Sequence, residues 1–145
     1  MKNKKGFTLV ELLAVITILG ILTMIAVPNV LSTINNKKRN AFLMDAKRMV
    51  AKANELIASS KDDRNTAKTA GGMTYYFADL NGKGEFSTDA DSGSFDENNT
   101  YVKVTISDNT YKYCIRVVGN KRKIEENGSC IDSSNLTGIE VVKDK

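Results

Sequence analysis

Phe7–Leu31 reads FTLVELLAVITILGILTMIAVPNVL, 25 residues with a single charge, Glu11. As a helix rising about 1.5 Å per residue it spans roughly 37 Å, enough for a bilayer core. Lys2, Lys4 and Lys5 precede it, and that asymmetry places the N-terminus on the cytoplasmic side. A cleaved secretory signal would need a small-x-small site after the apolar core. Met24-Ile25-Ala26 has a large residue at the first position, and Val30-Leu31-Ser32 is only passable. A plain membrane anchor explains the hydrophobicity and the lysines but not Glu11. A carboxylate five residues into an apolar helix is costly without a partner, and such residues are functional by default.

The residues around that carboxylate carry a resemblance. Lys4-Lys5-Gly6-Phe7-Thr8-Leu9-Val10-Glu11-Leu12-Leu13 resembles the leader and mature N-terminus of type IV prepilins and pseudopilins. The resemblance implies cleavage between Gly6 and Phe7 by prepilin peptidase, N-methylation of Phe7, and retention of the apolar helix. Residues 1–6 are then a leader, 7–31 a transmembrane and filament-core helix, and 32–145 the rest of the helix plus an extracellular head. Glu11 becomes the fifth mature residue. In a filament core it is tolerable only beside a positive charge, and the terminal amine of a neighbouring subunit is the available one. A cap on the helix's own first turn is the alternative role for Glu11. Gly20 and Pro28 resemble the family's helix-weakening positions. Pro28 removes a backbone donor and predicts a kink.

Beyond Leu31 the helix is expected to continue and change character. Phe42, Ala46, Met49, Ala53 and Leu56 recur at helical spacing, widened by Leu43, Val50 and Ile57, with Lys47, Arg48, Lys52 and Glu55 opposite. Met44 and Met49 read as core filler. Lys37-Lys38-Arg39 reads as a solvated or headgroup-contacting cluster. Ser59–Gly72 is polar and reads as a connection. Met73–Leu80 reads as a strand, Asn81–Thr100 as turns. Tyr101–Ser107 alternates with Val102, Val104 and Ile106 on one face, and Tyr111–Val118 with Tyr113, Ile115 and Val117. Asp108-Asn109 and Gly119-Asn120 mark turns, and Ile139–Val142 a final strand. The fold class is α+β: one long helix, apolar then amphipathic, packed on a small antiparallel sheet. That matches the pilin fold the resemblance implies.

Composition excludes other classes. The chain has 145 residues, no His, two Cys and one Pro. Without His there is no Ser-His-Asp system and no His-containing metal site. Two Cys cannot make a four-thiolate zinc site, and a lone Pro28 cannot supply a Leu-Pro sorting signal. The net charge is +4, but residues 1–6 contribute three of the positives. Residues 32–61 carry seven positives against Asp45 and Glu55, and residues 62–145 carry 11 against 14 negatives. That is no nucleic-acid-coating surface, and nucleic acid is not an expected partner. Asp79–Glu85 fails as a calcium loop: Lys83 holds its fifth position and Ala90 its twelfth. Asp89, Asp91, Asp96 and Glu97 read as a solvated acidic turn, with a weak calcium site as the alternative. No catalytic constellation, metal or cofactor is expected.

Cys114 and Cys130 lie 16 positions apart, and the segment between them turns at Gly119-Asn120. In an exported chain they are expected to bond; two free thiols in a reducing setting are the alternative. The function the resemblance implies is a structural pilus subunit, polymerised through its helix into a surface filament serving adhesion, aggregation or twitching. Its partners would be further copies of itself, prepilin peptidase, an inner-membrane assembly platform, minor pilins, and the membrane before assembly. A pseudopilin of a type II secretion or DNA-uptake machine is the alternative. A membrane-anchored binding module is the third reading, opposed by Glu11 and the Gly6-Phe7 junction.

Overall fold

The structure, a computed structural model, describes residues 6–69 and 71–145, and the side chains of all of these except 27–29. The chain forms two units, Met1–Asn36 and Lys37–Lys145. Among the described residues of the first unit the one element is the opening part of α1, which runs Leu9–Ser59. Sixteen large apolar side chains between Phe7 and Ile34 are exposed, distributed around the whole helix. Fully burying that many is worth on the order of tens of kcal/mol. Among the described residues none of these sixteen side chains is buried. By length and composition this helix can cross a membrane. Thr17 and Thr23 hydroxyls donate back to the Leu13 and Leu19 carbonyls, each at 2.7 Å, so neither is left unsatisfied in apolar surroundings.

The second unit is α+β. From Lys37 onward α1 buries Phe42, Leu43, Ala46, Met49, Ala53 and Ile57. The helix α2 (Lys61–Ala67) follows, its Asp63 N–H donating to the Ser60 hydroxyl at 3.2 Å, an N-cap. The sheet is antiparallel in the order β1 (Met73–Tyr76), β2 (Tyr101–Ser107), β3 (Thr110–Val118), β4 (Arg122–Ile124), β6 (Lys143–Asp144), with β5 (Ile131–Asp132) also pairing β3. The central hairpin follows the alternation of its sequence. Val102, Val104, Ile106, Ile115 and Val117 are all buried in one cluster with the α1 stripe. Val102 pairs with Ile115 and Val104 with Tyr113. Asp108 and Asn109 both adopt positive φ, +50° and +59°, the two-residue hairpin turn that Asn and Asp tolerate.

Several expectations are corrected. The strand expected over Met73–Leu80 ends at Tyr76. Phe77–Leu80 is instead one helical turn, α3. The Tyr76 N–H donates to the Asp79 carboxylate at 3.0 Å, and Phe77 and Leu80, three apart, are both buried. Phe77 stacks at 5.3 Å from Phe95, which in turn lies 5.9 Å from Phe42. This aromatic row anchors the long 81–100 connection to α1. Ile139–Val141 is a 3₁₀ turn, and the final strand is β6, two residues later. Met44 is not core filler: it stands 56% exposed while Met49 is fully buried.

The charged segments are corrected as well. Lys38 and Arg39 are not a solvated face. Lys38 Nζ lies 3.2 Å from Asp91. Arg39 donates to the Val142 carbonyl at 2.9 Å and to Asp144 at 2.8 Å. The acidic turn is not merely solvated either. Buried Asp89 accepts from the N–H groups of Asp91, Gly93 and Asn120. Asp96 accepts from the N–H groups of Asn98 and Asn99.

Candidate assembly site

The N-terminal site begins with backbone groups that α-helices always leave over. The first four N–H groups have no intrahelical acceptor. Here Thr8 caps α1 and Glu11 is its third residue. Glu11 Oε2 accepts from the Thr8 N–H and from the Thr8 hydroxyl, each at 2.8 Å. The Glu11 N–H donates to Thr8 Oγ1 at 3.3 Å. This is a reciprocal capping box, Thr-x-x-Glu. Glu11 is therefore held by its own first turn in the isolated chain. Thr8 was not among the residues singled out by the sequence reading, although a threonine three positions before a glutamate at a helix start is the signal that finds it.

Gly6 and Phe7 precede the helix and are exposed, Phe7 by 84%. Gly20 lies inside α1 with open space around it. The Pro28 side chain lies outside the described residues, as do Lys2, Lys4 and Lys5. Among the described residues no cluster of three or more His, Cys, Asp or Glu side chains is arranged to hold a metal ion.

In the second unit the geometry serves rigidity. Cys114 and Cys130 are joined in a disulfide with Cα atoms 5.4 Å apart. It ties the loop ahead of β5 to the solvent-facing side of β3, where Cys114 pairs with Asp132 in the ladder. A second brace is a chain of alternating charges. Arg122 Nε sits 2.7 Å from Asp91 Oδ2, with these side chains 6% and 3% exposed. Lys38 reaches the other Asp91 oxygen, and Asp144 lies between Arg122 and Arg39. Burial pushes the Asp91 carboxyl up, but its hydrogen bonds and charge contacts with Arg122 and Lys38 outweigh that and hold it below the ordinary range. Glu125 is held low by Lys123 and then by Arg116, against the opposing effect of burial. These pairs close α1, the 81–100 connection, β4 and the C-terminal strand onto one another.

An apolar helix, bare on all sides and headed by a capped carboxylate, belongs to the class of chains whose N-terminal segment is buried by a membrane or by other chains. The family described as prokaryotic N-terminal methylation motif matches residues 1–27. The chain is thus type IV prepilin-like in this segment, a motif family whose known members are structural and not enzymatic. Comparison with curated proteins and with solved structures returns no match.

Proposed function

We propose that this chain is the structural subunit of a type IV pilus-like filament. Prepilin peptidase cuts it between Gly6 and Phe7 and methylates Phe7. Before assembly it is held in the cytoplasmic membrane, N-terminus inside. An assembly platform then extracts it, and its apolar helix packs among those of other copies. The observation that carries this reading is the coincidence of the methylation motif with an apolar helix whose described side chains between Phe7 and Ile34 stand exposed. A membrane would satisfy that surface in storage, and neighbouring helices would satisfy it in a filament. On assembly Glu11 would exchange its Thr8 contacts for the terminal amine of a neighbour, which neutralises both charges and sets the axial register.

The test is intact-mass and N-terminal peptide mass spectrometry on filaments sheared from cells, beside the membrane fraction. Abundant sheared chain beginning at methylated Phe7 is the expected result. Methylated chain confined to the membrane fraction would replace this reading with a pseudopilin that forms a short envelope-spanning structure. A chain still beginning at Met1 in cells that possess the peptidase would overturn both.

A further inference from the structure

The sheet face turned away from the α1 stripe carries an open groove of about 180 Å³, lined in part by Lys103, Thr105, Lys112, Cys114 and Asp132. The strand register brings these side chains together. Lys103 pairs with Cys114, Thr105 with Lys112, and Cys114 with Asp132, and paired residues share a face. Lys103 and Lys112 are diagonal neighbours, about 7–8 Å apart at the backbone, so both side chains reach one ligand group between them. Gly72 holds Lys103 in place. Its φ of +68° brings the backbone ahead of β1 so close that an added Cβ would lie 2.7 Å from Thr105 Cγ2 and 3.1 Å from Lys103 Cε.

The charges of this face do not close within the chain. Arg116 and Lys123, also on this face, are both taken by Glu125, at 2.8 and 2.9 Å. Among the described residues neither Lys103 nor Lys112 has a carboxylate within ion-pair distance. Asp132 Oδ1 accepts from the Ser134 hydroxyl at 2.6 Å and the Ser134 N–H at 2.8 Å. These bonds, and more weakly Lys112, hold the Asp132 carboxyl below its ordinary range. Asp132 is exposed, and its Oδ2 accepts no hydrogen bond among the described residues. The groove thus presents two cations against one carboxylate, with a free acceptor beside them. Tyr101 lies two residues from Lys103 on the same face of β2, about 6–7 Å along the strand. It pairs with Tyr76, the two rings are 6.0 Å apart, and Tyr76 is 50% exposed.

This combination selects among anionic ligands. An inorganic anion would use the lysines and be repelled by Asp132. A polyphosphate chain gains its affinity through many phosphate contacts, and here it would find two free cations. A carboxylated sugar uses every group. Its carboxylate takes charge-assisted hydrogen bonds from the lysines, a ring hydroxyl donates to Asp132 Oδ2, and an adjoining ring lies with its C–H groups on the electron-rich faces of the tyrosines. We propose that this groove binds an acidic polysaccharide, with Lys103 and Lys112 on a sugar carboxylate and Asp132 on a neighbouring hydroxyl. The groove lies wholly in the second unit, so the proposal stands or falls separately from the filament reading.

The test is the Kd of the full chain, in uncharged detergent, for three labelled polymers: polygalacturonate, the same polymer with its carboxyls methyl-esterified, and single-stranded oligothymidylate. Polygalacturonate should bind about tenfold or more tighter than its ester. Lys103→Gln with Lys112→Gln should weaken it by about tenfold or more, since two charge-assisted bonds are lost. Lys47→Gln with Lys61→Gln removes the same charge from exposed helical positions and should weaken it by less than about twofold, because distant exposed charges are screened by salt. Equal losses from the two pairs would reduce the binding to general charge attraction and overturn the site. Undiminished binding of the ester, or no binding of polygalacturonate, would overturn it too. Tighter binding of oligothymidylate, lost with Lys103 and Lys112, would replace the polysaccharide with nucleic acid. Lys112 is exposed near the start of β3, and Lys112→Gln alone covers the case in which the change at Lys103 disturbs folding. It should weaken polygalacturonate by about threefold or more at an unchanged urea midpoint, and an unaltered Kd would overturn the proposal.

Discussion

Glu11→Gln and Thr8→Ala separate two roles that the structure superimposes on one carboxylate. Both Thr8 donors reach Glu11 Oε2 at 2.8 Å, and glutamine at this position still completes a capping box. Glu11→Gln therefore keeps the cap and removes the charge, whereas Thr8→Ala removes the cap and keeps the charge. Loss of an N-cap costs about 1 kcal/mol. Removing one partner of a buried ion pair costs about 3–5 kcal/mol, roughly a hundred- to several-thousand-fold in an association constant. If Glu11 pairs with a neighbour's amine in the filament, Glu11→Gln should nearly abolish sheared filaments while processed chain accumulates in the membrane. Thr8→Ala should lower the yield only several-fold. The assay is quantitative mass spectrometry of both fractions, with cleavage after Gly6 scored in each. Normal filaments from Glu11→Gln together with loss of filaments from Thr8→Ala would refute the pairing and leave Glu11 as a cap.

Arg122→Met should destabilise the second unit by about 2–4 kcal/mol, because it strips the closest partner from a buried carboxylate and leaves it only Lys38. Tyrosine fluorescence during urea unfolding of the detergent-solubilised chain measures this, since the chain has five Tyr and no Trp. Less than about 1 kcal/mol would show the pair to be energetically idle. That deficit should narrow as pH falls, since protonating Asp91 removes the uncompensated charge. In the parent chain the sign is opposite. Asp91 and Glu125 are held below their ordinary values, so they stabilise the fold above about pH 4 and lose that contribution as pH falls through their folded values. Unfolding followed between neutral pH and pH 3 checks both slopes. Cys114→Ser with Cys130→Ser should cost about 3 kcal/mol for a closed loop of this length, read in the same unfolding experiment; an unchanged midpoint would make the bond dispensable.

Elements whose burial repeats along the sequence were legible. β2 alternates with period two along its 7 residues and β3 over Ile115–Val117, and the α1 stripe repeats with helical spacing, so each announces its buried face. β4, β5 and β6 have three, two and two residues, too few to show any period. They exist because the disulfide and the Arg122 charge pairs hold them. Phe77–Leu80 follows Tyr75-Tyr76, so an aromatic run reads as strand, while the aspartate two positions on caps a turn instead. Lys38 and Arg39 find partners 53 and 105 residues away, distances at which a run of basic residues carries no information about its acceptors.

Those long-range pairs change what the helix can offer to other molecules. Counting charges along the chain assigns Lys37-Lys38-Arg39 to a lipid or solvent face. The folded unit takes Lys38 and Arg39 for its own carboxylates, and the cationic surface of α1 shifts toward Lys47 and Arg48. Met44 moves the other way, from expected core to exposed surface, because two residues along a helix turn it about 200° away from buried Phe42. An exposed stripe of 41, 44, 48, 51, 55 and 58 becomes visible only once the buried stripe of 42, 46, 49, 53 and 57 has been set apart from it. Both patterns occupy the same turns of one helix, and periodicity alone cannot say which faces inward. Large side chains decide it: the stripe holding Phe42, Met49 and Ile57 removes more apolar surface from water than one holding a single Met among alanines and charges. The weaker stripe is therefore left outside.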